Sequence, residues 1–362
     1  MIDRYLTATS RPHTPGVRLV WAAALSFLAL VPTAQAASML YIKGAGDGHG
    51  IGMSQYGAYG YAQHGWTYRH ILGHYYQGTG IRTTNPGQTV RVLLGTGHYG
   101  PPTFTGASSA AAPRAGRQTV ALSSDQHYSL KALPGGNVAL YDRSGKQLIS
   151  VRPPLVVDGS GPLNFYGHGS YRGSFEFRWE SGLHVQTVDA VGLDDYVRGV
   201  VSAEMPSSWS IQALDAQAVA ARTYAITTSV SGNGYGLYSD TRSQMYRGVS
   251  AETSSTDAAV ASTQRQVVTL HGTPVVTYFF ASSGGHTESI QYVWPGASSE
   301  PWLRGVDDSY DDVAGNPYYR WSVSMSMGSA AARLGSLVKG TFQGITVTQR
   351  GTSPRVVDAT VH

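Results

Sequence analysis

The spacing of apolar residues changes from a period of two to a helical period close to residue 192. Between residues 86 and 191, short alternating runs such as SFEFRW and LHVQTVDAV are separated by glycine and proline turns, which predicts a β-rich domain. From residue 192 to residue 362 helical spacing comes first and strand-like runs follow. We therefore predict an α+β fold, in which a β-rich accessory domain (86–191) is inserted before a part made of helices and strands (192–362).

Residues 1–36 have the features of a cleavable secretory signal peptide. Three arginines precede an apolar run from Leu19 to Val31, and the A-x-A sequence at residues 34–36 predicts cleavage after Ala36. The apolar run is too short to span a bilayer comfortably, and an uncleaved membrane anchor is the alternative. We therefore expect a secreted protein without a membrane span once the signal has been removed.

Composition excludes several classes of function. The net charge of +4 falls to +2 when the three arginines and one aspartate of residues 1–36 are removed, so we expect no nucleic-acid partner. The chain has no cysteine, which excludes disulfides and zinc sites built on thiolates. Its 44 glycines predict many turns, and its 23 tyrosines favour a surface suited to ring-shaped polar ligands such as sugars.

A glycine-rich loop follows the predicted cleavage site. Five glycines fall within Gly44 to Gly52, and no Gly-Lys-Ser/Thr follows that would make a phosphate loop. The next twenty residues have helical spacing, which we expect to be broken at Gly60 and Gly65. The whole segment, residues 37–85, cannot bury its own apolar side, so we predict that it docks on the part made of helices and strands. His49 would then face a ligand cleft.

One carboxylate stands apart from the other acidic residues. Glu204 closes an apolar helical stretch that begins near Leu193. Burial against apolar groups disfavours a charged carboxylate, so this side chain is predicted to keep its proton near neutral pH and to act as a general acid. The alternative is a helix-end carboxylate in an ion pair with Arg198 or Arg222.

Two further acids, Asp194 and Asp195, lie at the predicted start of the same helix. They fit a helix cap, because carboxylates there meet unpaired N–H groups and a favourable dipole. The alternative is a second catalytic acid, as in a hydrolase. Another helix is predicted from Ile211 to about Ser229, with Ser208 or Ser210 as its cap.

Three polar residues of this second helix are candidate substrate-binding residues. Gln217 and Tyr224 are seven positions apart and lie on one helix face, with Arg222 near its edge. They can bind sugar hydroxyls or the lactyl carboxylate of a muramic acid. The alternative is a buried polar network that fixes the helix.

Two motifs that contain histidine resemble known catalytic patterns but lack essential parts. Ser282, Ser283 and His286 lie in the turn SSGGHTE, which has no G-x-S-x-G nucleophile elbow and no evident acid partner, so we predict a substrate-binding turn and not a serine hydrolase. His70 and His74 have the spacing of some zinc sites, but the glutamate of a metalloprotease motif is missing between them. Surface or packing histidines are the interpretation we favour.

Three long stretches of the sequence carry a family resemblance. They are YVRGVVSAEMPSSW with QALDAQAVAARTYA, then VVTYFFASSGGHTES with VWPG, then GHGIGMSQYGAYGYAQHGWTYRHILGHYY. Together they resemble the stage II sporulation protein D/amidase-enhancer (SpoIID/LytB) family of bacterial cell-wall proteins. The resemblance implies a lytic transglycosylase that acts on the glycan strands of peptidoglycan, with Glu204 at the catalytic position. It also supports substrate binding by the SSGGHTE turn and by Gln244.

The sequence departs from the family pattern in two respects. The GHGIGMSQYGA segment comes first here, whereas it comes last in the more familiar order, and it can keep its role only by docking in the same place. Some members bind zinc through cysteines just before the Gln-x-Tyr that is Gln244-Met245-Tyr246 in this chain. Thr241 and Ser243 stand nearby instead, so we predict no metal and no cofactor.

These observations together predict a secreted cell-wall enzyme with residues 192–362 as its catalytic domain. One glutamate can protonate the glycosidic oxygen and then take the proton of the C6 hydroxyl, which closes a 1,6-anhydro ring. The expected reaction cleaves the β-1,4 bond after N-acetylmuramic acid. The alternative is a non-catalytic cell-wall-binding protein that enhances an amidase, so the expected partners are peptidoglycan glycan strands and a cell-wall amidase.

Overall fold

The computed structural model describes residues 38–97, 100–112 and 118–362, and residues 39–362 form one compact unit. The predicted signal peptide, residues 1–36, lies outside the described residues. Within the described ranges, no helix has the length and apolar character needed to cross a membrane.

The elements come in three groups along the chain. The first group has short helices between short strands: β1 (Met39–Gly44), β2 (Met53–Ser54), α1 (Gln55–Gln63), α2 (Tyr68–Tyr75) and β3 (Gly80–Thr83). The second group is made of strands: β4 (Thr89–Gly95), β5 (Thr103–Thr105), β6 (Ser109–Ala111), β7 (Thr119–Ala121), β8 (Tyr128–Ala132), β9 (Val138–Tyr141), β10 (Gln147–Val151), β11 (Leu155–Asp158), β12 (Leu163–Phe165), β13 (Gly169–Tyr171), β14 (Ser174–Glu180) and β15 (His184–Gly192). The third group mixes both: α3 (Leu193–Glu204), α4 (Ile211–Thr227), β16 (Leu237–Tyr238), α5 (Ser254–Ser262), β17 (Gln266–Leu270), β18 (Thr273–Pro274), β19 (Phe279–Phe280), β20 (Trp321–Ser326), α6 (Met327–Leu334), β21 (Ile345–Arg350) and β22 (Val356–Val361). The predicted α+β class is confirmed.

The strand-rich group forms two sheets that pack face to face. One has the order β10-β9-β8-β5-β12-β13, and the other has the order β16-β4-β15-β14-β11-β6-β7. The ring of Phe104 on β5 lies 5.4 Å from the ring of Phe177 on β14, so alternate side chains of both sheets meet in a shared core. The boundaries of the accessory domain stay a prediction, and β16 from the third group extends the second sheet in parallel with β4.

The N-terminal segment is joined to the last third of the chain by three strand pairs. β1 pairs antiparallel with β20, β2 pairs parallel with β19, and β3 pairs antiparallel with β17. Gly52 permits one of these close approaches, because its φ is +75° and a Cβ there would lie 2.2 Å from the carbonyl oxygen of Tyr278. The segment therefore lies against the third group although it comes first in the chain.

Two local predictions for this fold are wrong. Gly60 does not break a helix, since α1 continues through it, and a Cβ there would lie 1.9 Å from the carbonyl oxygen of Tyr310. That glycine is needed for close packing, whereas Gly65, with φ of +83°, does separate α1 from α2 as predicted. The continuous apolar run PVVTYFFA, Pro274 to Ala281, also predicts a buried strand, but only the two short strands β18 and β19 form in this region.

The helices α3 and α4 place the candidate acid. β15 runs directly into α3, whose N-cap is Gly192, so neither Asp194 nor Asp195 caps it as predicted. Both aspartates lie in the first turn, where their charge still favours the helix dipole. Ser210 caps α4 by accepting a hydrogen bond from Gln212 N, as predicted. α4 is buried along most of its length, so it forms the centre on which α1, α2, α3 and α5 pack.

Candidate active site

Glu204 is the last residue of α3, and the fold holds it at a fixed position. The apolar face of α3 is fully buried between Tyr196 and Val201, which prevents the helix from shifting. Met205 then leaves the helix with extended backbone and is buried as well. The side chain of Glu204 therefore starts from a helix end that is anchored on both sides.

Two hydrogen bonds orient the carboxyl group of Glu204. The backbone N–H of Met245 donates to Oε1 at 2.7 Å, and Gln55 Nε2 donates to Oε2 at 3.3 Å. Burial raises the pKa of Glu204, and these two donors oppose that shift because they favour the charged form. The net direction is upward, so the carboxyl group keeps a proton at higher pH than an exposed glutamate does.

The two arginines that could have paired with Glu204 bind other acids. Arg198 contacts Asp195 at 3.3 Å, and Arg222 contacts Asp194 at 2.7 Å. Both pairs lie toward the start of α3, at the opposite end of the helix from Glu204. The described contacts therefore do not fit the alternative of an ion-paired carboxylate at the helix end.

The substrate-binding role predicted for Arg222 is wrong. Its side chain is fully buried, and it bonds to Asp194 and to the backbone oxygens of Ala218, Val260 and Gln266. A guanidinium group used in this way holds α4 against its neighbours and has no access to a ligand. Arg222 therefore belongs to the buried polar network that was the alternative interpretation.

The other polar residues predicted to bind substrate in this region differ in how accessible they are. Tyr224 is half-buried. Burial is the main cause that raises the pKa of Tyr224, and the charge of Glu204 adds to this rise. Gln244 is almost fully buried, and its Nε2 donates to Tyr196 Oη at 3.2 Å. Gln217 is fully buried, and neither of its amide atoms has a partner among the described residues. Only Tyr224 of this set keeps an accessible surface in the structure.

The two serines of the SSGGHTE turn are buried, which contradicts their predicted contact with substrate. Ser282 donates to Asp311 Oδ2 at 2.7 Å, and Ser283 Oγ accepts from Gly285 N. These bonds hold the turn in shape, so both serines position the backbone instead of meeting a ligand. His286 is half-buried and keeps an accessible edge, with Nδ1 2.6 Å from its neighbour's carbonyl oxygen.

His49 packs in an aromatic cluster at the glycine-rich loop. Its ring lies 5.6 Å from Trp294, 5.4 Å from Phe280 and 6.0 Å from Tyr278. Burial is the main cause that lowers the pKa of His49 to about 4, so the ring is neutral at pH 7. Its Nδ1 accepts from Ile51 N at 3.1 Å. These contacts give His49 a role in shaping the loop, and binding of substrate by it stays a prediction.

The histidines at the metal-like spacing also bond to protein groups. His74 Nε2 lies 2.8 Å from the carbonyl oxygen of Asp307, and His70 Nδ1 lies 3.3 Å from Thr67 Oγ1. In the described part of the chain, no cluster of three or more histidine or acidic side chains has the arrangement of a metal site.

Sequence reasoning missed the residues that complete the surroundings of Glu204. Gln55 and Met245 contact its carboxyl group, and an aromatic wall formed by Tyr56, Tyr59 and Trp209 begins at the residue that follows Gln55 on α1. The ring of Trp209 is stacked on Tyr59 at 4.6 Å and meets the edge of Tyr56 at 4.9 Å. Gln55 lies in the GMSQYGA motif, but no local pattern connects residue 55 with residue 204. Such a wall suits the apolar face of a sugar ring.

A buried pair of acids joins the N-terminal segment to the SSGGHTE turn. Asp311 accepts from Ser54 Oγ at 2.8 Å and from Ser282, while Asp308 accepts from Tyr75 Oη at 2.6 Å. Both carboxylates are fully buried. Burial, followed by the charge of Asp311, raises the pKa of Asp308 to about 7.

This shift gives stability a pH dependence that can be measured. In the unfolded chain, the pKa of an aspartate is about 4. Between about pH 4 and pH 7, Asp308 therefore holds its proton in the folded chain more tightly than in the unfolded chain. The free energy of unfolding consequently falls as the pH rises through this window. When melting temperatures are recorded from pH 4 to pH 8, the titration of Asp308 should lower them as the pH rises. We expect Asp308→Asn to lack this contribution, because asparagine does not titrate. The exposed neighbour provides the control variant Asp307→Asn, which should keep the parent slope. An unchanged slope in Asp308→Asn would contradict the assignment.

Part of the chain is similar to known proteins. Residues 181–270 match the family model described as stage II sporulation protein. Stage II sporulation protein D of Bacillus subtilis is 34% identical over 173 residues, which cover 43% of this chain and 49% of that protein. The amidase enhancer of B. subtilis is 38% identical over 130 residues, which cover 36% of this chain and 17% of that protein. The chain thus spans about half the length of the first relative and a smaller share of the second.

Fold and site define an α+β protein with a shielded glutamate, Glu204, at the end of a buried helix. The matched range contains α3, α4 and α5, and therefore Glu204 together with the helices that hold it. The likeness to the family described as stage II sporulation protein is thus shown over residues 181–270 of this chain. Stage II sporulation protein D from Bacillus amyloliquefaciens is similar as well, at 30% identity over 193 residues, which cover 49% of this chain and 55% of that protein.

Proposed function

We propose that this protein is a secreted lytic transglycosylase that cleaves peptidoglycan glycan strands at the β-1,4 bond after N-acetylmuramic acid. The proposal rests on the environment of the Glu204 carboxyl group. The group is shielded from solvent, two hydrogen-bond donors orient it, and burial raises its pKa. An acid of this kind can still hold a proton when the substrate arrives. A surface that only bound glycan would not need it.

The proposed reaction uses Glu204 twice. Its proton passes to the glycosidic oxygen as the bond from that oxygen to C1 of the muramic sugar breaks, and the next sugar leaves with a hydroxyl group. The C6 hydroxyl of the same muramic sugar then attacks C1 and gives its proton to the carboxylate of Glu204. The product is a 1,6-anhydro ring, and Glu204 is protonated again for the next cycle.

The positions of the two other acids of α3 favour this use of one glutamate over hydrolysis. Glycoside hydrolases place a second carboxylate roughly 5 to 9.5 Å from the first. Asp194 and Asp195 lie nine or ten residues before Glu204 on α3, which corresponds to about 14 Å at the rise of an α-helix. Both aspartates are also held by arginines, and no carboxylate contributes to the pKa shift of Glu204.

The second candidate function is enhancement of an amidase without catalysis. It is favoured by the similarity to the protein named amidase enhancer, which matches over 130 residues. The aromatic wall of Tyr56, Tyr59 and Trp209 would serve glycan binding in either case. The two functions differ in whether a covalent bond of the glycan is broken.

Mass spectrometry of glycan strands separates the two functions. Purified strands, with and without their peptides, are incubated with the chain from residue 37 onward, and the new ends are identified. The proposal expects 1,6-anhydromuramic ends, which are lighter by one water than hydrolysed ends. Hydrolysed ends would instead show a muramidase. Intact strands together with faster peptide release by an added amidase would establish the enhancer function.

A further inference from the structure

The hydrogen bond from Met245 N to Glu204 comes from a segment without regular secondary structure. Residues 244–246 lie in the connection between β16 and α5 and belong to neither a helix nor a strand. A backbone N–H in such a connection keeps its direction only if the residues on either side of it are fixed. Met245 is half-buried, whereas its neighbours Gln244 and Tyr246 are buried. These two neighbours therefore determine where the N–H of Met245 points.

Gln244 fixes the segment to α3 and α4. Its Nε2 donates to Tyr196 Oη on α3 at 3.2 Å and to the carbonyl oxygen of Ala221 on α4 at 3.3 Å. Tyr196 is fully buried and lies on the same helix as Glu204, which ends that helix. The segment that carries the N–H donor and the carboxyl group that accepts from it are thus both fixed to α3, whose buried face cannot shift.

Tyr246 fixes the segment to the sheet that contains β15. Its hydroxyl group donates to Asp189 Oδ2 on β15 at 2.7 Å, and both side chains are buried. Its ring lies 4.9 Å from the ring of Tyr196 and 5.4 Å from that of Tyr171. A Cβ at Gly199 of α3 would lie 2.7 Å from the Tyr246 ring, so only a glycine permits this close contact of helix and ring.

Asp189 acts in this arrangement as a neutral hydrogen-bond acceptor. Burial raises the pKa of Asp189 well above its usual range, while the bond from Tyr246 opposes that shift and the charge of Asp195 adds to it. The folded chain therefore favours the protonated side chain. Its Oδ1 has no partner among the described residues. Burying such a group costs free energy that the bond from Tyr246 offsets in part, which makes this bond a candidate for a functional role.

Hydrogen bonds control the titration of Glu204 besides burial. Gln55 of α1 donates to Oε2, and Met245 N donates to Oε1. Burial raises the pKa of Tyr196 and of Tyr224, and the charge of Glu204 adds to both shifts. Both phenols are neutral at any pH at which a carboxyl group titrates. Among the described residues, no cation and no second carboxylate contributes to the pKa shift of Glu204.

We propose that Asp189 and Tyr246 are positioning residues for Glu204, because the bond between them holds the N–H of Met245 at Oε1. This inference rests on the proposed function for the role of Glu204 as the acid. Neither residue has to touch the substrate, since Asp189 acts through Tyr246 and Tyr246 acts through the backbone of Met245. When this bond is lost, the N–H favours the charged carboxylate less, so Glu204 should titrate at a higher pH.

The NMR signal of the Met245 amide tests this proposal without any need for cleavage. The chain has seven methionines, so labelling of methionine alone gives few amide signals, and Met245→Leu identifies the one from residue 245. In the chain from residue 37 onward, this signal should move with pH as Glu204 titrates, and the movement should vanish in Glu204→Gln. In Tyr246→Phe we expect the midpoint of the movement to rise by about 0.5 to 1 pH unit, because a hydrogen bond to a charged group is weakened.

A conservative variant separates positioning from a merely structural role. Asp189→Asn keeps an acceptor for the Tyr246 hydroxyl group and is uncharged like the protonated acid, so the midpoint should stay at the parent value. Asp189→Ala removes the acceptor and should raise the midpoint as far as Tyr246→Phe does. The double variant Asp189→Ala/Tyr246→Phe should raise it no further than either single change, since all three remove the same bond.

Tyr128→Phe is the matched control. It removes the hydroxyl group of a buried tyrosine on β8, in the other sheet, which accepts from Ser123 N at 2.9 Å, and it should leave the midpoint unchanged. Melting temperatures identify the variants that are folded, and Tyr246→Phe decides the matter if Asp189→Ala does not fold. A parent midpoint in folded Tyr246→Phe would overturn the proposal, as would an equal rise in Asp189→Asn or in Tyr128→Phe. A Met245 signal that does not follow Glu204 in the parent protein would overturn it too. Failure of the glycan cleavage itself changes none of these readouts, so the two proposals fail separately.

Discussion

Replacing Glu204 with glutamine should lower the rate of glycan cleavage by at least about a hundredfold while the fold stays intact. Glutamine has the same shape, and its Oε1 can still accept the hydrogen bond from Met245 N that now reaches the carboxylate at 2.7 Å. The amide of Gln55 can rotate to present its oxygen to the new NH₂ group. What glutamine lacks is a proton that it can give to the leaving oxygen.

Two measurements on the same samples make this result interpretable. Cleavage is followed as the formation of anhydromuramic ends, and a thermal melt reports whether the variant is folded. Glu300→Gln removes a carboxylate elsewhere on the chain and should leave the rate unchanged. Cleavage at the parent rate by a folded Glu204→Gln protein would falsify the proposed acid mechanism.

The largest expected effect on stability comes from Asp311→Ala. This buried carboxylate accepts from Ser54 on β2, from Ser282 and from Gly284 N, all within 2.8 Å. Alanine leaves two buried hydroxyl donors and one half-buried N–H without their acceptor, and the loss should be about 3 to 5 kcal/mol in the free energy of unfolding. Because these bonds join the N-terminal segment to the SSGGHTE turn, the position of Gln55 beside Glu204 should loosen as well.

Chemical denaturation and the cleavage assay together check this prediction. Asp311→Asn keeps one acceptor oxygen and should be less destabilised than Asp311→Ala. The exposed neighbour gives the control Asp312→Ala, which should stay within about 0.5 kcal/mol of the parent. Equal stability of Asp311→Ala and Asp312→Ala would show that the network does not hold the junction.

Local features of this fold were predictable from local sequence. The Ala-rich stretch of α4 and its cap at Ser210 follow from helix propensity and from the hydroxyl that bonds an unpaired N–H. The strands of the accessory region follow from alternation between turns. The shielding of Glu204 also follows, since the apolar spacing of α3 places it at the end of a buried helix face.

The contacts that decide the site were not predictable in this way. Arg222 was expected to bind substrate, but its side chain is fully buried and pairs with the half-buried Asp194. Ser282 was expected to meet a ligand, but its hydroxyl group donates a hydrogen bond to Asp311, 29 residues later in the chain. In both cases the partner is brought near by packing, and nothing in the neighbouring sequence identifies it.

The sequence by itself determined the α+β class, the main helices with most of their ends, and the single acid set against apolar groups. These depend on interactions between residues a few positions apart, which periodicity and capping patterns record. Only the tertiary structure decided that Gln55 and Met245 orient Glu204, and that Ser54 bonds to Asp311, which lies 257 residues later in the chain. Such contacts depend on how distant segments pack, and the packing is set by burial and backbone pairing over the whole chain and not by any one motif.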